Sequence, residues 1–141
     1  MEQGNFKDYL LKKVFDYQHQ QDAARAELLK AGYSMLAREN GFDVTRFRHL
    51  MLSFLNDGRC VTKEDFLEAL KDRLEALPAQ YLAACEVSKV YAEGVFYDFR
   101  FLVRELYFLG VLKFGFYSQT LTALDKAVDC FLFGNSEDCA S

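Results

Sequence analysis

Tryptophan is missing from the 141 residues, proline occurs once and histidine twice. With apolar residues at 51% and so little proline, a disordered or linker-rich chain is excluded. Only His19 and His49 could serve histidine chemistry. His19 follows Asp16 by three residues on the polar side of a helix, a spacing that can orient an imidazole but more often marks a solvated pair. His49 lies between Arg48 and Leu50, with no serine or cysteine near it in sequence to make a nucleophile and base. Glycine-rich phosphate cradles, H-E-x-x-H and G-x-S-x-G are absent. The segment NDGRCVTKED lacks the alternating oxygen ligands and terminal glutamate of a calcium loop, and reads as a helix-turn-helix corner. An enzyme is therefore not expected, and no cofactor or metal is called for.

Positive charge is also sparse. No basic run exceeds two residues and the formal net charge is −4, so the clustered positive face of a nucleic-acid binder is lacking. Cys60, Cys85, Cys130 and Cys139 are scattered without a C-x-x-C pair or nearby histidines, which points to free thiols rather than a zinc site or disulfide framework. The first residues are acidic and polar where a secretory signal would be basic and then apolar. The expectation is a cytoplasmic protein of one domain, 1–141, with association at the mitochondrial surface left open.

What the chain has in quantity is aromatic and aliphatic bulk: 14 Phe and 8 Tyr. The densest run is VFYDFRFLVRELYFLGVLKFGFY, residues 95–117, in which Phe96, Phe99, Leu102, Val103, Leu106, Leu109 and Phe114 recur at three- and four-residue steps. Phe101, Tyr107 and Phe108 fill the opposite face, and a helix apolar nearly all round belongs in the middle of a fold. A membrane span would have to carry Asp98, Arg100, Arg104, Glu105 and Lys113, each costing roughly 2.5–3.5 kcal/mol near the bilayer centre. The reading is a buried helix over 95–115, whose charges need partners or water. Gly110 and Gly115 mark a fray, a kink or a close helix contact near its end.

The rest reads as amphipathic helix throughout, giving an all-α bundle of about seven helices. Asn5 starts a first helix with Phe6, Leu10, Val14 and Tyr17 on one face. Asp22 caps a second, stopped by Gly41, in which Gly32 implies close backbone contact. Asp43 opens a third, with Val44, Phe47, Leu50, Met51, Phe54 and Leu55 at helical spacing, ended by Asn56-Asp57-Gly58. Thr62-Lys63-Glu64-Asp65 has capping-box spacing before Phe66, Leu67, Leu70 and Leu74. Pro78 breaks that helix or starts a fifth, Gly94 leads into the central helix, and Ser118 or Thr120 caps the last, which Gly134-Asn135 closes before a frayed tail.

So many aromatic side chains either all pack inside or leave some as anchors for a partner. Phe47, Leu50, Met51, Phe54 and Leu55, beside the central helix, would form a groove for the i, i+3, i+4, i+7 face of an amphipathic peptide. A homodimer is an alternative use of the same surface.

Two resemblances point the same way. LLKKVFDYQHQQ, residues 10–21, resembles the fourth homology segment of the Bcl-2 family, and LLKAG, residues 28–32, is similar to the third, although Tyr33 stands where that family has aspartate. FRHLMLSFLNDG, residues 47–58, resembles the helix and D-G turn leading into the first segment, but the tryptophan-glycine-arginine that should follow is absent. The resemblance implies an apoptosis regulator that binds a helical death-promoting segment, with Arg59 or Lys63 in the place of the groove arginine. Residues 47–82, with Glu64-Asp65-Phe66, Leu70, Leu74, Pro78, Tyr81 and Leu82, are also similar to the TAF-homology domain of transcription coregulators, which implies binding of short amphipathic peptides.

Overall fold

The computed structural model describes residues 6–56 and 62–133. The expected starting cap Asn5, the turn residues Asp57 and Gly58, and the closing Gly134-Asn135 with its tail lie outside them. All regular structure in the described residues is helical: α1 (Phe6–Lys30), α2 (Ser34–Leu55), α3 (Lys63–Cys85), α4 (Lys89–Phe108) and α5 (Phe114–Phe131). The all-α expectation holds, while five helices replace the expected count of about seven. They fall into two compact units, Met1–Phe66 and Leu67–Ser141.

In the first unit, residues expected to form three helices form two long ones. The reversal comes at Gly32, not Gly41. Gly32 has φ +86°, and Tyr33 N–H donates to the Leu28 carbonyl while Gly32 N–H donates to that of Leu29. This pair of bonds is the Schellman ending, which needs a left-handed residue that glycine supplies without steric cost. No neighbour lies within 4 Å of where a Gly32 Cβ would sit, so conformation rather than close contact explains this glycine. Gly41 instead lies inside α2, where a Cβ would come 3.2 Å from Arg25 Nη1. Asp22, expected as a cap, lies inside α1 and pairs with Arg25 at 2.9 Å. Asp43 is likewise interior to α2.

The periodic apolar stripes form the core of this unit. Leu10, Val14 and Tyr17 of α1 and Val44, Phe47, Met51 and Phe54 of α2 are buried, with the Tyr17 and Phe47 rings 4.3 Å apart. Phe66, in the first turn of α3, stands 5.7 Å from Phe6 and 5.6 Å from Phe54 between ring centroids. The start of α3 matches its sequence signature. Asp65 N–H donates to Thr62 Oγ1 at 3.1 Å and Thr62 N–H donates to Asp65 Oδ2 at 3.2 Å, a reciprocal capping box.

In the second unit, Pro78 neither stops nor starts a helix but lies within α3. Gly94 lies within α4, whose true start is Ser88: its side chain accepts a hydrogen bond from Tyr91 N–H at 3.3 Å. Phe96, Phe99, Phe101, Leu102, Val103 and Leu106 of α4 are buried on several sides. The long apolar run is nevertheless two helices rather than one over 95–115. Gly110, at φ +81°, ends α4 with the same Schellman pair, Gly110 N–H to Tyr107 and Val111 N–H to Leu106, and Val111 and Leu112 bury themselves in the connection. Hydropathy does not register this stop, because a left-handed glycine needs no polar neighbours. α5 then begins at Phe114, so Ser118 and Thr120 lie inside it.

Rings of three helices meet in this unit: Tyr81 and Phe96 at 5.2 Å, Phe96 and Phe131 at 6.3 Å. Burying Phe96 alone is worth about 1.5–3 kcal/mol. The charges inside the run are accommodated by partial exposure together with ion pairing. Arg100 pairs with Asp125 of α5, Arg104 approaches Glu105 at 3.3 Å, and Asp98 is engaged as well. No described helix is long and apolar enough to cross a membrane. Cys130 is disulfide-bonded, correcting the expectation of free thiols, whereas Cys85 is free; Cys60 and Cys139 lie outside the described residues. Spacing along a chain does not reveal which thiols a fold brings together.

Candidate interaction surface

The apolar stripe singled out on residues 47–55 is mostly core. Phe47 and Met51 are 0% exposed, Phe54 1% and Leu55 4%. A visiting side chain would reach them only if α1 and α2 parted. Leu50 and Lys63 are half-buried and Arg59 lies outside the described residues. The structure thus brings four of the expected groove residues together, but packed against their own unit rather than lining an opening.

Open surface on α2 lies on its other faces. Thr45, Arg48, His49 and Leu52 surround a concavity of about 270 Å³. These four sit at i, i+3, i+4 and i+7, so among the described residues two turns of one helix line it. Leu52 is half exposed, and Arg48 has no ion pair or hydrogen bond among the described residues. In the sequence these four residues read as an ordinary solvated face, because helical periodicity identifies the buried stripe and says little about relief on the opposite one.

Two helix corners add exposed apolar bulk. At the α1–α2 corner Leu29, Tyr33, Met35 and Leu36 are all at least half exposed, and at the α3–α4 corner Leu82, Val87, Val90 and Tyr91 are too. Soluble chains seldom leave such bulk grouped unless something covers it.

Titratable groups gather only weakly. The Tyr81 hydroxyl, which donates to the Phe131 carbonyl at 3.5 Å, has its pKa raised, first by its hydrogen bond with Cys85, then by burial, then by the charges of Cys85 and Glu93. His19 and His49 are both exposed, and neither has a carboxylate or nucleophile bonded to it among the described residues. No group of three or more His, Cys, Asp or Glu in the described residues is placed to hold a metal ion. Among the described residues the geometry offers helix faces and corners for contact, and no convergent set of acid, base and nucleophile.

Comparison with family models, curated proteins and solved structures gives no match to this chain.

Proposed function

We propose that the chain is a non-enzymatic interaction module that holds an amphipathic helix of a partner protein. The observation that carries this reading is the exposed apolar bulk on helical surfaces, with Met35 76%, Phe42 66% and Tyr91 67% exposed. Aromatic and methionine side chains in such positions are the usual anchors of protein interfaces. The Bcl-2 resemblance supplies a narrower form of the proposal: an apoptosis regulator whose partner is a death-promoting helix. Burial of Phe47, Met51 and Phe54 gives that form a structural requirement, since a groove over them has to open.

Calorimetric titration against a panel of amphipathic helical peptides, pro-apoptotic segments among them, tests both forms. Binding of at least one peptide supports helix capture, and binding confined to the pro-apoptotic members supports the narrower form. No binding by any peptide at about 100 μM, weaker than roughly 5–6 kcal/mol, would refute the proposal.

A further inference from the structure

Resting on that reading, we infer that the concavity on the outer face of α2 is the seat of an acidic amphipathic helix, which places an apolar side chain among Thr45, Arg48, His49 and Leu52 and sets carboxylates against Arg48 and Arg38. Shape comes first. In helix pairing, one side chain of the incoming helix enters a hole formed by four residues of the other, and the i, i+3, i+4, i+7 rim found here has that arrangement. At about 270 Å³ the space is large enough to receive an apolar side chain of an incoming helix.

Charge then selects the partner. At about 100° per residue, Arg38, Thr45 and Leu52 fall along one line of α2, with Arg48 and His49 on either side of it. The helix's two carboxylates, Glu39 and Asp43, lie about 140° round the barrel with Arg46 and Leu50. The stripe is therefore basic and free of acid although the chain as a whole carries −4. Arg38 and Arg48 are exposed, and neither has an ion pair or hydrogen bond among the described residues. A basic seam with its own acids turned away repels a Lys-flanked helix and attracts a Glu-flanked one.

The test uses two synthetic peptides of about three heptads with leucine at the a and d positions. One is flanked by glutamate and the other by lysine, and each is titrated by fluorescence anisotropy into the full chain. The Glu-flanked peptide should bind ~10-fold or more tightly than the Lys-flanked one, with the advantage shrinking as salt is raised. Arg48→Glu should remove that preference, and Leu52→Asp should weaken both peptides. Both sites are exposed, so unchanged melting temperatures should show that the fold is intact. Equal binding of the two peptides, or a preference that survives Arg48→Glu, overturns the inference. Loss of binding in Tyr91→Ala with none in Leu52→Asp moves the site to the α3–α4 corner, which overturns the inference and leaves helix capture standing. Failure of both peptides, together with the whole panel above, removes the two together.

Discussion

Replacing Gly110 and Gly94 by alanine, one at a time, should move stability in opposite directions although the chemical change is identical. Both glycines lie in or beside α4, and at neither would the new methyl meet an atom within 4 Å, so packing is not a variable. What differs is the backbone. Gly110 sits at φ +81°, where an L-residue pays about 1–2 kcal/mol for crowding its Cβ against a carbonyl. Gly94 is inside α4 with an ordinary φ, and alanine there lowers the entropy of the unfolded chain and gains about 0.5–1 kcal/mol. At about 3 °C per kcal/mol for a chain of this size, Gly110→Ala should melt about 3–6 °C lower and Gly94→Ala about 2–3 °C higher, giving a gap of about 5–9 °C. Gly110→Asn should fall between wild type and Gly110→Ala, since asparagine tolerates the left-handed region better than alanine. Thermal melts and urea titrations followed by far-UV circular dichroism measure all three. Shifts of the same sign for the two alanine variants would refute the assignment of Gly110 as a conformational stop.

Further expectations concern the cap, the core and a phenol. Thr62→Ala removes the side-chain oxygen that accepts from Asp65 N–H and should cost about 1 kcal/mol in urea unfolding, with Thr62→Ala and Asp65→Ala together costing less than the sum of the two, because they break one reciprocal motif. Phe96→Ala empties a fully buried position between the Tyr81 and Phe131 rings and should cost about 3–5 kcal/mol, whereas Phe108→Ala, at a 70% exposed site, should cost under about 0.5 kcal/mol. Tyr81 binds its proton more tightly folded than unfolded, so its contribution to stability is complete below about pH 10 and is lost as pH rises through the raised folded value. Ultraviolet titration of the phenols should therefore show a late-ionising tyrosine that Tyr81→Phe removes; an unchanged alkaline limb in that variant would contradict the assignment.

Much of the fold was legible in local chemistry, and what escaped did so for identifiable reasons. The helical period of Val44, Phe47, Met51 and Phe54 announces a buried face, and the Thr62–Asp65 spacing announces a cap, because both depend only on neighbours along the chain. Helix ends are ambiguous in the sequence where one residue type serves several purposes. Gly41 looks like a stop, yet sits inside α2 close to the Arg25 guanidinium, while Gly32 looks interior and is the true reversal. Pro78 and Gly94 are weak helix residues held inside long helices, α3 and α4, a case of tertiary packing overriding local preference. The candidate surface was less legible still. Phe47 and Met51 have the right character for a groove, and only the burial of their side chains distinguishes core from opening.

The tight link between α1 and α2 has a consequence for biogenesis. Only Ala31, Gly32 and Tyr33 separate the end of one helix from the start of the next, so little loop entropy opposes their meeting. During translation these two segments leave the ribosome before α4 and α5 exist, and mating of sequence neighbours is among the fastest events available to a nascent chain. This hairpin can thus shelter Phe47 behind Tyr17 from chaperones and stray hydrophobic encounters while the aromatic remainder is still being made.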